Sequence, residues 1–118
     1  MPAKEYYIEQ IEREFTAARK ALSEGNSGKA RVCARRAAGQ AISWFLAKNP
    51  RNGWGLDAMG QLNNLKSDPM FPQEVREAAS RLTTKISDQF TTSFSTDPIQ
   101  DGTIIVDYIK HIMESDVS

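Results

Sequence analysis

Three arginines that lie close together in the chain have the residue type and spacing best suited to a chemical role. They are Arg31, Arg35 and Arg36. Each carries a planar, permanently charged guanidinium group whose donors match the geometry of a phosphate. Arg31 and Arg35 are one helical turn apart, where like charges repel mildly unless an anion or a carboxylate lies near both. The pattern therefore indicates either a phosphate site, for a nucleotide or RNA, or ion pairs with acidic residues of the first or the last helix, within the bundle or across a dimer.

The segment around these arginines is basic, although the 118-residue chain has a formal net charge of zero. Residues 25–56 contain no aspartate or glutamate, and their six positive charges are Lys29, Arg31, Arg35, Arg36, Lys48 and Arg51. Residues 94–118 are acidic, with five carboxylates against one lysine. A basic segment of this kind is typical of a phosphate-binding face. The alternative is that it packs beside the acidic C-terminal helix and is neutralised there.

The remaining reactive side chains give no catalytic pattern. Cys33 is the single cysteine, which excludes an intramolecular disulfide and a multi-cysteine metal site. We predict that it is a small buried thiol. His111 is the single histidine, and we predict a surface residue near the negative end of its helix. No catalytic residue, metal or cofactor is expected.

Aromatic residues offer a second way to bind a nucleic acid. Trp44 and Trp54 lie on or just after the arginine-rich segment, and Tyr6 and Tyr7 lie near the N-terminus. Such rings can stack on bases. We favour the alternative that they are core or interface anchors, as is common for large amphipathic side chains.

The arginines belong to a predicted helix that is built mainly from small residues. At 100° per residue, one face of this helix collects Ala30, Ala34, Ala37, Ala41 and Phe45. A polar strip beside that face contains Lys29, Arg36, Gln40 and Ser43. Small side chains allow a neighbouring helix to approach closely. We therefore expect this helix to be the hub of a helical bundle, with those five residues in its core.

Four further helices are predicted around the hub. A helix over residues 4–23 has an apolar stripe with alternating spacings of three and four, formed by Ile8, Ile11, Phe15, Ala18 and Leu22. The acidic residues off that stripe, Glu14 among them, are expected to face water. The hub helix follows after Gly25-Asn26, capped by Asn26 or Ser27, and ends near Lys48 before Pro50. So short a turn makes the two helices antiparallel.

The second half of the chain gives three more segments. A short helix over residues 56–66 places Leu56, Met59, Leu62 and Leu65 on one face. A fourth helix begins at Pro72 and buries Val75, Ala78, Ala79, Leu82 and Ile86. Residues 87–96 are predicted to be a loop or a short extended segment. Asp97 caps a fifth helix that begins at Pro98 and has an apolar face of Ile104, Ile105, Tyr108, Ile109 and Ile112.

This order predicts one all-α domain over residues 1–118, an antiparallel up-down four-helix bundle with a short extra crossover helix. No stretch approaches the roughly 20 apolar residues of a membrane span. The polar, acidic N-terminal segment lacks the apolar core of a signal peptide. We therefore expect a cytoplasmic protein without membrane contact.

The sequence resembles the HEPN family (higher eukaryotes and prokaryotes nucleotide-binding). The likeness lies in the long acidic first helix, the hub sequence ARRAAGQAI at residues 34–42, the short leucine-rich helix and a last helix opened by Asp-Pro and running through IIVDYIKHI. The resemblance implies a small cytoplasmic helical bundle that forms a homodimer. It also implies either partnership with a nucleotidyltransferase or ribonuclease activity.

Catalytic HEPN proteins carry an arginine followed four to six residues later by a histidine, and this pair is missing here. The positions that would hold the arginine before His111 are Ile104, Ile105 and Val106. Without the pair, no obvious group activates a ribose hydroxyl or stabilises the charge of the transition state. We therefore expect a non-catalytic binding or interaction module, either nucleotide-binding or the partner of a nucleotidyltransferase. The alternative is an RNA-acting ribonuclease with a degenerate site that uses His111 or Arg81.

Overall fold

A computed structural model of the chain describes residues 3–84 and 97–115. Within these two ranges the chain forms five α-helices and no strand, which confirms the all-α prediction there. The helices are α1 (Lys4–Ser23), α2 (Ser27–Lys48), α3 (Ala58–Lys66), α4 (Gln73–Thr83) and α5 (Pro98–Ser115). Ile86 and the predicted loop at residues 87–96 lie outside the described residues.

Helix α1 has the predicted bounds, but its buried face is rotated slightly from the predicted stripe. Ile11, Phe15 and Ala18 are buried as predicted. Leu22, which was also assigned to the stripe, is 42% exposed, and Ala21 takes the last buried position instead. Because Ala21 is buried, packing does extend to the last turn of α1, and Leu22 is exposed since it lies to one side of the buried face.

The turn between α1 and α2 is as short as the sequence predicts. Gly25 adopts a φ of 77°, in the left-handed region that favours glycine. The Asn26 side chain then caps α2 by accepting a hydrogen bond from the backbone N–H of Lys29 at 3.0 Å. At the far end of the hairpin, the rings of Tyr7 and Trp44 stack with their centroids 6.4 Å apart. Because the start of α1 meets the end of α2, the two helices run antiparallel.

Helix α2 is the centre of the packing. It contacts α1, α3 and α5. Its five predicted core residues are all buried, with Ala30, Ala34, Ala37 and Ala41 at 0% exposure and Phe45 at 1%. The small side chains let other helices come close, as the residue types predict.

Helix α3 begins two residues later than predicted. Asp57 is its N-cap, and the Asp57 side chain accepts a hydrogen bond from the N–H of Gly60 at 3.1 Å. Leu56 therefore belongs to the preceding loop and is 97% exposed, so its predicted place on the apolar face is wrong. Leu62 and Leu65 are fully buried as predicted.

Helices α4 and α5 keep their predicted starts to within one residue. Pro72 is the N-cap of α4 and not its first residue. The Asp97 side chain accepts from the N–H of Gln100 at 3.0 Å, which confirms the predicted cap of α5. The buried face of α5 differs in part from the predicted one, because Ile104, Tyr108 and Ile112 are only half-buried. Its buried apolar residues are Pro98, Ile105, Val106, Ile109 and Met113.

Two ion pairs join the ends of helices. Arg81 near the end of α4 contacts Asp101 near the start of α5 at 2.7 Å. Lys4 at the start of α1 contacts Glu114 near the end of α5 at 2.9 Å. The hydrogen bond and the charge of Lys4 hold the pKa of Glu114 below its ordinary value.

Across the described residues, no helix is both long enough and apolar enough to cross a membrane.

Candidate ligand-binding groove

The fold gives the three candidate arginines different surroundings. Arg35 is half-buried, and its Nε donates a hydrogen bond to the carbonyl oxygen of Leu82 at 2.6 Å. Leu82 lies in the last turn of α4, where backbone carbonyls have no partner within the helix. Burial, followed by the nearby charge of Arg31, lowers the pKa of Arg35. Arg35 therefore caps α4.

Arg31 lies one turn before Arg35 and is enclosed by the protein. Only 7% of the surface of Arg31 is exposed. Its charge is close enough to lower the pKa of Arg35. Arg31 is thus built into the packing of the protein and offers little surface to a ligand from solution.

Arg36 has a different position, because it is exposed and opens onto a groove. The groove has a volume of about 250 Å³ and lies where α1, α2 and the start of α3 meet. Its lining residues are Glu14, Arg36, Gly39, Gln40, Ser43, Leu56, Ala58 and Gln61. Three members of the predicted polar strip line it, whereas Lys29, the fourth, is exposed elsewhere.

The groove exists because α3 approaches α2 very closely at one point. A β-carbon added at Gly39 would lie 2.9 Å from the β-carbon of Ala58, inside the normal contact distance. Only glycine allows this crossing. The start of α3 and the loop before it therefore form one wall, with Leu56 at the mouth.

Gln61 fixes the polar floor of the groove. It is buried, with 1% exposure, and its Nε2 donates to the Ser43 hydroxyl at 3.1 Å and to the Gly55 carbonyl at 3.4 Å. Both amide hydrogens are thus used, which holds the carboxamide in one orientation. Gln61 was not predicted to belong to a site. The feature that could have identified it is its position on α3: Gln61 lies one turn before Leu65, on the apolar face of this short helix.

Glu14 was also missed, because it was predicted to face water. It is half-buried and lines the groove opposite the polar strip. Tyr7 of α1 stacks on Trp44 of α2. Glu14 lies seven residues after Tyr7, and Arg36 lies eight residues before Trp44. Because the two helices are antiparallel, Glu14 and Arg36 lie at about the same level. Within the described ranges, neither Glu14 nor Arg36 forms an ion pair or a side-chain hydrogen bond.

The acidic helix α5 packs against α2, as the alternative for the basic segment predicts, but the ion pairs described for α5 do not include residues 25–56. The ion pairs of α5 go to Arg81 and Lys4, both outside residues 25–56. Arg51 pairs instead with Asp68 at 2.7 Å. Arg36 therefore keeps its charge available on the groove.

His111 and Arg81, the residues of the alternative ribonuclease site, are not brought together. Arg81 makes a two-point contact with the carboxylate of Asp101. This hydrogen bond raises the pKa of Arg81. His111 follows Asp101 by ten residues on α5, a distance of roughly 15 Å along the helix axis. It is exposed and lines a separate pocket of about 440 Å³ together with Glu74 and Asp107.

The other candidate groups lie away from the groove. Trp44, Trp54 and Tyr7 are buried in the core, and Tyr6 is 49% exposed. Cys33 is a buried free thiol, as predicted. In the portion of the chain that the structure describes, no group of three or more His, Cys, Asp or Glu residues could hold a metal ion.

The arrangement can therefore bind a small polar ligand by charge and hydrogen bonds, with Arg36 for an anion and Glu14 for a cation or N–H donors. Gln40 and Ser43 add polar groups along the α2 side of the groove. Comparisons with protein-family models, curated proteins and solved structures find no match to this chain.

Proposed function

We propose that the chain is a non-catalytic, HEPN-like binding module whose groove holds the phosphate of a nucleotide or RNA on Arg36. The observation that carries the proposal is the exposed guanidinium of Arg36 in a groove with Gln40 and Ser43. A guanidinium binds phosphate well because its donors are rigid and permanently charged. Arg35 is engaged with α4, so Arg36 takes the role first assigned to all three arginines.

The proposal includes the finer architecture, an up-down bundle of α1, α2, α4 and α5 with α3 as a crossover. The Tyr7–Trp44, Lys4–Glu114 and Arg81–Asp101 contacts support it, because each joins the start of one helix to the end of another. The same arrangement agrees with the resemblance to HEPN proteins. That resemblance also supports a nucleotidyltransferase as the protein partner.

The absence of catalysis is proposed from the residues of α5. Ile104, Ile105 and Val106 occupy the positions where a catalytic HEPN protein has its arginine. Arg81, the other arginine considered, is engaged with Asp101 far from His111. An RNA cleavage assay checks this part: turnover that disappears in His111→Ala or Arg81→Ala would contradict it.

Calorimetry with AMP and with a short RNA, at low and at high salt, tests the phosphate site. We expect salt-sensitive binding, since cations that neutralise phosphates release counterions. Arg36→Ala should weaken binding about tenfold or more and flatten its salt dependence. Arg19→Ala is the matched control, because it removes the same charge from an exposed position on α1. Its affinity should stay within about twofold of the native protein.

Two results would overturn the proposal. One is the absence of binding to both probes in the native protein. The other is equal weakening by Arg36→Ala and Arg19→Ala, which would mean a diffuse effect of charge and no defined site.

A homodimer is the second part of the proposal. Leu22 and Val32, 42% and 40% exposed, lie at the turn end of the α1–α2 hairpin and provide apolar surface there. Light scattering should give twice the chain mass of 13.2 kDa. Leu22→Glu with Val32→Glu should return the protein to a monomer. A native protein that is monomeric at working concentrations would refute the dimer.

A further inference from the structure

We propose that the groove selects guanine nucleotides, with Glu14 accepting hydrogen bonds from the base while Arg36 holds the phosphate. This inference rests on the proposed phosphate site and adds the class of base. It starts from two opposite charges that line one groove, lie level across the α1–α2 hairpin and make no contact with each other. A phosphate ligand alone would explain why Arg36 lines the groove. It does not account for a half-buried carboxylate beside it, which would repel an anion.

The chemistry of a carboxylate specifies the complementary group. An ionised carboxylate has two oxygens and only accepts hydrogen bonds. Guanine presents two adjacent donors, N1–H and the N2 amino group, so it can satisfy both oxygens at once. Adenine and cytosine place an acceptor nitrogen next to their amino group, and that nitrogen would face the second oxygen. Hydrogen bonds to an ionised acceptor are stronger than neutral ones, so this difference is large.

The dimensions of the groove suit a base with its phosphate outside. A volume of about 250 Å³ is below the 300–1,000 Å³ that encloses a drug-sized ligand. The groove is therefore too small to enclose a whole nucleotide, and we place the base inside it, with the sugar and phosphate at the mouth, where Arg36 is exposed. Gly39 and Ala58 give the base an apolar wall, and Leu56 lies at the mouth. Gln40 adds a carboxamide that can donate to the carbonyl oxygen of guanine.

The native contacts leave both charges available for a ligand. Arg36 is exposed, and an exposed ion pair contributes only about 0–1 kcal/mol in water. Little would therefore be gained if Glu14 and Arg36 paired directly. A ligand with a donor edge and an anionic group engages both of them.

Calorimetry with GMP, AMP, IMP and inorganic phosphate tests the selection. The native protein should bind GMP about tenfold or more tightly than AMP, as expected for a two-point contact to a base. IMP keeps N1–H but lacks the amino group, so its affinity should lie between the two. Glu14→Gln should remove the preference for GMP, whereas Glu12→Gln, a matched change at an exposed position of α1, should retain it.

The outcomes separate this inference from the proposed function. Equal affinity for GMP and AMP, with both weakened by Arg36→Ala, would overturn guanine selection and leave the phosphate site intact. Binding of inorganic phosphate as tightly as GMP would do the same. No binding of any probe would overturn both. The comparison of GMP with IMP needs no variant, so it decides the question even if Glu14→Gln disturbs the fold.

Discussion

At the scale of single residues, arginines that look equivalent in the sequence have different roles. Arg35 donates to the Leu82 carbonyl of α4, whereas Arg36, the next residue, is exposed on the groove. The sequence predicts that both lie on a basic helix. It could not predict which arginine binds α4, because that depends on where the end of α4 packs against α2. A carbonyl partner for Arg35 leaves no mark in the sequence, since every residue has one.

The Arg81–Asp101 pair should stabilise the fold more than the other ion pairs. The Asp101 side chain is only 7% exposed, and that of Arg81 is 32% exposed. Arg81→Ala would leave a buried carboxylate without its partner, so we expect a loss of about 2–3 kcal/mol in the free energy of unfolding. Urea denaturation followed by circular dichroism measures this loss.

Two further variants serve as comparisons for the loss of stability in Arg81→Ala. Asp101→Asn keeps an acceptor oxygen for Arg81, and we expect a loss of about 1 kcal/mol. Arg13→Ala breaks an exposed pair with Glu9, whose expected contribution is below about 0.5 kcal/mol. If Arg81→Ala costs no more than Arg13→Ala, the pair is not part of the packed structure.

At the scale of helices, periodicity and caps predict most of the elements. The bounds of α1 and the cap of α5 follow from apolar spacing and from Asp97-Pro98. The start of α3 does not, because Leu56 continues the apolar pattern while Asp57 is the residue that caps the helix. A cap and a periodic apolar residue compete there. The helix begins after the cap, and Leu56 stays outside it with 97% of its surface exposed.

The crossing of α2 and α3 can be tested at Gly39. In Gly39→Ala the new β-carbon would lie 2.9 Å from the β-carbon and 3.2 Å from the α-carbon of Ala58. Backbone must therefore move, and we expect a loss of about 1–3 kcal/mol in stability. The groove wall formed by α3 should move with it, so nucleotide affinity should fall as well. Thermal unfolding and calorimetry measure the two effects.

Gly28→Ala is the control for helix propensity. Its β-carbon would meet only the Asn26 side chain, at an ordinary 3.9 Å. Because alanine favours a helix over glycine, we expect a gain of up to about 1 kcal/mol. If both variants gain stability alike, close contact between the two helices at Gly39 is refuted.

At the scale of the whole molecule, α2 organises the packing and the groove arises from what surrounds it. The hub was predictable because its alanines mark close contacts at every turn. The groove was not, because Glu14, Arg36 and Gln61 come from three helices and only their packing brings them together. Glu14 lies among other charged residues that face solvent, so nothing in its local sequence distinguishes it. The predicted polar strip identified one side of the site.

Mapping the residues that a nucleotide contacts tests the groove directly. We expect titration of ¹⁵N-labelled protein with GMP to give saturable shifts in the amide signals around the groove, at Arg36, Gln40, Ser43 and Gln61. The side-chain amide signals of Gln40 should move with them, and the signals of α4 should stay in place. Shifts centred on Arg31 and Arg35, or no saturable shifts at all, would contradict nucleotide binding in this groove.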